Sequence, residues 1–124
     1  KYVANHLVAI HNVAAAEALV LGMKSGLDAQ TIFDVISDSA GNSRMFEIRG
    51  PMMVADNYDT ATMKMEVWQK DMGIIAAFAK SLGCPTPLFT TTSDLYTAGM
   101  AQSRAEQDTA AVCAVLAEMA RLER

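Results

Sequence analysis

Apolar residues recur along the chain at the three- and four-residue spacing of α-helices rather than in the alternation of β-strands. Alanine, methionine and leucine dominate these positions, where a sheet protein favours valine, isoleucine, threonine and aromatic residues. The pattern predicts an all-α fold, a helical bundle that opens with a long helix over about residues 1–25. Gly26 follows a lysine in the last turn and is suited to end this helix in a left-handed conformation.

Capping residues and prolines divide the remainder into five further predicted helices. Asp28 and Ser43 are placed to cap the second and third helices, and Asp108 to cap the last. We expect Gly50-Pro51 to end the third helix, which leaves residues 52–62 irregular. The predicted ranges are about 29–38, 44–50, 65–82, 87–101 and 109–122.

The predicted core combines one face of the second helix with large side chains from the others. Trp68 is interpreted as a core residue rather than a cofactor platform. The nine methionines are interpreted as adaptable packing residues rather than metal ligands. The remaining positions assigned to the core are Ile32, Phe33, Val35, Ile36, Phe46 and Leu88.

Composition narrows the class of protein. The 124 residues are 52% hydrophobic and 19% charged, which predicts one globular domain over residues 1–124 with a single core. The net charge of −4 argues against nucleic acid and anionic membranes as partners. The apolar stretch at 13–22 contains Glu17 and is too short to cross a bilayer, so we expect a cytoplasmic protein.

The cysteines and histidines do not predict a metal site. Cys84 and Cys113 are far apart and lack a CxxC motif, so both are interpreted as reduced, packed thiols. His6 and His11 are five residues apart, the wrong spacing for two ligands on one helical face.

Polar residues lie on one face of the predicted first helix. At 100° per residue, Lys1, Asn5 and Asn12 fall within about 40° of one another. Asparagine is a mediocre helix former, so two of them on an alanine-rich helix suggest a specific role, although a solvated face is the simpler alternative. A lysine and an asparagine at this spacing could hold a substrate hydroxyl and transfer its proton.

Lys70 and Asp71, in the segment MEVWQKDMG, form the second candidate site. They lie near the start of the fourth predicted helix among apolar and aromatic neighbours. A solvated pair on the helix surface is again the alternative. The sequence contains no GxGxxG and no GxxxxGK[ST], so this chain carries no phosphate-binding turn of those types.

Four segments together resemble a known family. They are KYVANHLVAIHNVAAAEALVLGMKSGLD, SAGNSRMFEIRGPMM, VWQKDMGIIAAFAKSLGCPTPL and YTAGMAQSRAEQDTAAV. In this order they resemble the C-terminal helical domain of the β-hydroxyacid dehydrogenases, the superfamily of 3-hydroxyisobutyrate dehydrogenase and tartronate semialdehyde reductase. The first and second segments, with MKMEVWQKD, are most similar to the L-threonate dehydrogenase branch.

The resemblance implies roles for both candidate sites. Lys1 matches the family's catalytic lysine, and Asn5 matches the asparagine that orients the substrate. Lys70 matches the lysine that reaches the nicotinamide cofactor, with Asp71 as its neighbour. The implied reaction is oxidation of a small hydroxy acid, similar to 3-hydroxyisobutyrate or L-threonate, by hydride transfer to NAD or NADP, with Lys1 as general acid and base.

The resemblance also implies partners. A full family member carries an N-terminal Rossmann domain with a glycine-rich turn, and this sequence starts at the lysine itself. We therefore expect a domain fragment that completes the active site and builds a homodimer or higher homo-oligomer. The fragment alone is expected to be inactive and to bind no cofactor. The alternative is a non-catalytic helical interaction module with the same fold.

Overall fold

The structure is a computed structural model that describes all 124 residues. It contains no β-strand, and one isolated β-bridge joins Lys64 and Asp108. The predicted all-α fold is confirmed. The helices are α1 (Tyr2–Lys24), α2 (Ala29–Ser37), α3 (Arg44–Ala55), α4 (Met65–Ser81), α5 (Pro87–Ala101) and α6 (Val112–Met119), with a 3₁₀ turn at Thr109–Ala111 before α6.

Helix α1 is the centre of the bundle and contacts each of the other five α-helices. Alanines on its inner face, including the fully buried Ala9 and Ala16, allow neighbouring helices to approach closely. The helix ends as the sequence predicts. Gly26 has a φ of +100°, and the Leu27 N–H donates to the Gly22 carbonyl at 3.1 Å, as in a Schellman motif.

The length of α1 revises one expectation about membranes. Its 23 residues include an 18-residue window of mean hydropathy 1.4, so the helix is long and apolar enough to cross a bilayer by these two criteria. Residues 13–22, which are too short to cross a bilayer, form only part of this helix. A central core helix satisfies the same criteria, and α1 packs along its inner face against its neighbours.

Helix caps at the starts of α2 and α3 form as predicted. An Asp28 carboxylate oxygen accepts from the Thr31 N–H at 3.0 Å, and the Ser43 hydroxyl accepts from the Phe46 N–H at 3.0 Å. The last helix differs slightly from its prediction. It begins as a 3₁₀ turn and ends at Met119, three residues before the predicted end.

The predicted end of α3 at Gly50-Pro51 is wrong, because the helix continues to Ala55. Pro51 lacks the N–H that would bond to the Glu47 carbonyl, but Glu47 is exposed and water can bind that oxygen. Met53, beyond the proline, is fully buried. Burial of this last turn therefore outweighs the local cost of the proline.

Gly50 is expected to be required for the packing of α3 against α2. A Cβ at this position would lie 2.5 Å from Cε2 of Phe33, and the Phe33 ring is stacked on Phe46 with centroids 5.2 Å apart. We expect Gly50→Ala to lower the free energy of unfolding by about 1–3 kcal/mol. Gly73→Ala is the control, because no atom lies within 4 Å of its added Cβ. It should raise stability by up to about 1 kcal/mol. Urea unfolding measures both, and equal effects would contradict the packing role.

The core contains 21 buried hydrophobic residues, and three sequence assignments to the interior are wrong. Val35 is 64% exposed because it lies about 80° from the centre of the α2 face formed by Ile32 and Ile36. Leu88 is 68% exposed in the first turn of α5, next to the buried Phe89. Cys84 is exposed, although Cys113 is buried as expected. Trp68 lies in the core, as interpreted.

Candidate functional site

Helices α1 and α4 contact each other near the start of α1, where Lys1 and Asn5 lie. The Tyr2 ring meets the Phe78 ring edge-on with centroids 5.1 Å apart, and Asn5 lines a cavity together with Trp68. The 70–71 segment lies on α4 between Trp68 and Phe78, on the helix that packs beside the start of α1.

Lys1 and Asn5 lie at the start of α1 with their side chains available. Lys1 is exposed and precedes the first helical residue, and its carbonyl accepts from the Asn5 N–H at 3.0 Å. Asn5 is half-buried and lines the cavity named above, and its side chain ends in an amide. The side-chain hydrogen bonds within the chain do not include this amide, so it can bind an external group.

Asn12 has a different environment from the rest of the polar stripe. It is only 1% exposed, and its Nδ2 donates both to the Tyr96 hydroxyl at 3.0 Å and to the Thr109 carbonyl at 3.0 Å. The Tyr96 hydroxyl donates in turn to the Ala9 carbonyl at 2.9 Å. Burial raises the pKa of Tyr96 to about 12, so the network stays neutral. Asn12 therefore joins α1 to α5 and the 3₁₀ turn, and the solvated interpretation is wrong for this residue.

Lys70 and Asp71 are free of partners within the chain. Lys70 is exposed and Asp71 half-buried, and none of the three ion pairs of the structure includes either residue. An exposed, unpaired lysine can bind a carbonyl or phosphate oxygen of a ligand. This property fits a contact with a nicotinamide cofactor, but the chain offers no cradle for the cofactor's pyrophosphate.

The cavity beside Asn5 contains a buried cation that sequence reasoning missed. It encloses about 290 Å³ between α1, α3, α4 and α5, and we call it the Arg49 cavity. Arg49 is only 7% exposed. The residues that define the cavity include Asn5, Val8, Met45, Arg49, Trp68 and Tyr96.

Arg49 is held by Asp108, which is fully buried. Its Nε donates to Asp108 Oδ1 at 3.0 Å. The same carboxylate accepts from the N–H groups of Ala110 at 2.8 Å, Thr62 at 2.9 Å and Met63 at 3.2 Å, and from the Thr62 hydroxyl at 3.0 Å. Burial alone would raise the pKa of Asp108, but these hydrogen bonds and the Arg49 charge outweigh it and hold the pKa below its ordinary value.

A second, larger cavity lies at the outer end of the α1–α4 contact. It encloses about 520 Å³ and is mostly apolar, with Tyr2 and Phe78 on one side and the connector between α4 and α5 on the other. His6 lines it and stacks on the buried Phe89, with ring centroids 5.4 Å apart. No group of three or more potential metal ligands occurs in the structure.

Comparison with known proteins identifies relatives along nearly the whole chain. Residues 1–116 match the family model described as NAD-binding of NADP-dependent 3-hydroxyisobutyrate dehydrogenase. L-threonate dehydrogenase of Escherichia coli K12 is 34% identical over 106 residues, which are 86% of this chain and 35% of that protein. 2-(Hydroxymethyl)glutarate dehydrogenase of Eubacterium barkeri is 29% identical over 119 residues, 96% of this chain and 40% of that protein.

A solved structure shares the fold. The crystal structure of 3-hydroxyisobutyrate dehydrogenase from Salmonella typhimurium superposes with a TM-score of 0.88 at 33% identity, covering 93% of this chain and 40% of that chain. The chain thus spans between about a third and two-fifths of the length of these relatives.

Proposed function

Because the chain belongs to the 3-hydroxyisobutyrate dehydrogenase family, we propose that it is the helical part of an NAD(P)-dependent enzyme that oxidises a small hydroxy acid. The relatives named above support the general class of reaction. The main structural support is the contact of α1 with α4, because it puts Lys1 and Asn5 on a helix adjacent to the one that carries Lys70.

In the proposed reaction, each polar side chain has one task. The Lys1 amine accepts the proton of the substrate hydroxyl as that carbon becomes a carbonyl, and it returns the proton in the reverse direction. The Asn5 amide holds the reacting oxygen without adding charge. A bound nicotinamide would supply the hydride acceptor for the same carbon. Lys70 and Asp71 are the residues of this chain that would hold it.

The rest of the cofactor site and the substrate site would come from other parts of the full-length protein. This chain has no glycine-rich turn, and its relatives are more than twice as long as the region they share with it. We propose an N-terminal Rossmann domain as the source of the pyrophosphate contacts. Helix α1 also keeps an exposed apolar face, with Val3 74% and Leu21 72% exposed, which supports burial against that domain or in a homo-oligomer.

Turnover by the full-length protein tests the proposal. We expect reduction of NAD or NADP, measured by absorbance, with at least one of 3-hydroxyisobutyrate, L-threonate and 2-(hydroxymethyl)glutarate. The coding sequence before Lys1 is expected to contain a strand followed by GxGxxG. A full-length protein without that motif and without turnover would instead support a non-catalytic interaction module.

A further inference from the structure

The Arg49 cavity contains a donor that the fold itself does not use. The Nε of Arg49 donates to Asp108 and its Nη1 approaches the Met45 sulfur at 3.7 Å, but its Nη2 has no partner. The Nη2 atom is not fully enclosed, so it belongs to the part of the side chain that a ligand can reach. A charged donor is therefore presented at the cavity wall.

Trp68 forms part of the wall of the same cavity. Its side chain is 3% exposed, and its enclosed indole N–H lies near enough to the Tyr96 hydroxyl to lower the pKa of that group. The accessible donor at this cavity is therefore the Arg49 guanidinium, which favours an acceptor-rich, anionic occupant.

The charge of Arg49 is only partly compensated within the fold. Asp108 is the one carboxylate paired with it, and that carboxylate is shared with three backbone N–H groups and the Thr62 hydroxyl. These neutral donors interact with the same Asp108 carboxylate charge that pairs with Arg49. The guanidinium therefore retains attraction for a second anion on its free edge.

The location of the cavity relates this anion site to the proposed catalytic residues. Asn5 and Val8 line it, and they lie about 6 Å and 10 Å along α1 from Lys1. A substrate carbon held between Lys1 and Asn5 thus has the cavity on its inner side. The end of the substrate that faces away from Lys1 can therefore enter the Arg49 cavity.

We propose that the Arg49 cavity binds the end of the hydroxy acid distant from the reacting carbon, and that Arg49 selects substrates that carry a carboxylate there. This inference rests on the proposed dehydrogenase function. The class of substrate is a hydroxy dicarboxylate, in which the second carboxylate accepts from Arg49 Nη2. A substrate with a methyl group at that end leaves the guanidinium without its anion.

Two compounds provide a matched test in the full-length enzyme. 3-Hydroxyisobutyrate and 2-(hydroxymethyl)glutarate share the hydroxymethyl group and the adjacent carboxylate, and they differ in a methyl against a carboxyethyl group. We expect Arg49→Met and Arg49→Lys to raise KM for the dicarboxylate about tenfold or more, the size of one lost charge-assisted hydrogen bond. KM for 3-hydroxyisobutyrate should change less than about twofold. Arg49→Lys remains informative if Arg49→Met does not fold, because one ammonium group cannot serve both Asp108 and the cavity.

Thr62→Val is the matched control. It removes one donor from Asp108 but does not line the cavity, so it should lower the melting temperature and leave the ratio of the two KM values unchanged. An unchanged preference in Arg49→Lys, or an equal rise in KM for both compounds, would overturn the inference.

A binding measurement separates this inference from the proposed function. Glutarate carries two carboxylates and cannot be oxidised, so its stabilisation of the full-length protein is independent of turnover. We expect glutarate to raise the melting temperature of the wild type more than butyrate does, and Arg49→Lys to abolish the difference. Absence of that difference in the wild type contradicts the anion site, whereas absence of turnover alone contradicts the dehydrogenase.

Discussion

Replacing Lys1 with alanine in the full-length protein is expected to lower kcat by about 10²- to 10⁴-fold, the usual contribution of a positioned general acid or base. The reason is that Lys1 is the basic side chain on the face of α1 that also carries Asn5. His6 is stacked on Phe89, and Lys24 lies at the other end of the helix. KM should change much less, because the lost interaction belongs to the transition state.

Two further variants make this result specific. Lys1→Arg should also be nearly inactive, since a guanidinium remains protonated and cannot accept the proton. Lys24→Ala is the control on the same helix, where the lysine donates to the Arg121 carbonyl at 3.3 Å, and it should retain wild-type kcat. Steady-state kinetics with the best substrate of the panel measures all three, and full activity of Lys1→Ala would refute the proposed role.

The parts of the fold that the sequence predicts depend on local contacts. Asp28, Ser43 and Asp108 each bond to a backbone N–H two or three residues away, so residue type and position are sufficient to recognise them. The left-handed glycine after α1 is similarly local. Propensity and capping rules act over this range, and here they give the starts of three helices correctly.

The errors in the fold have tertiary causes. Pro51 does not end α3 because Met53 is buried against distant parts of the chain. Leu88 and its neighbour Phe89 are similar in hydrophobicity, yet only Phe89 faces the core. Local propensity does not contain this information, since it depends on which helices become neighbours.

The candidate site shows the same contrast between residues that the sequence identifies and residues that only the tertiary structure identifies. Lys1, Asn5, Lys70 and Asp71 come from a family resemblance, and their roles remain predictions. Arg49 was missed because its partner Asp108 is 59 residues away, and no spacing rule joins them. The sequence identifies Asp108 as a helix cap, which is only one of the roles of its carboxylate. The four other hydrogen bonds to its carboxylate become visible only in three dimensions.

Replacing Asp108 with asparagine is expected to lower the free energy of unfolding by about 3–5 kcal/mol at neutral pH, the cost of breaking a buried ion pair from one side. Asparagine has nearly the same shape, but its NH₂ group would face the N–H groups of Thr62 and Met63 or the Arg49 guanidinium. Two hydrogen-bond donors would then face each other, without an acceptor, in a fully buried site. Asp94→Asn, at an exposed position of α5, should change stability by less than about 0.5 kcal/mol.

The pH dependence of this loss identifies its electrostatic origin. The pKa of Asp108 is lower in the folded state than in the unfolded chain, so its contribution is complete above the unfolded value, about 4. The contribution declines as the pH falls through the lower, folded pKa. The difference in unfolding free energy between wild type and Asp108→Asn, measured by urea denaturation, should therefore be constant from pH 7 to pH 5 and should shrink toward pH 3. A difference that stays constant at acid pH would show that shape rather than charge stabilises the cluster that also holds Arg49.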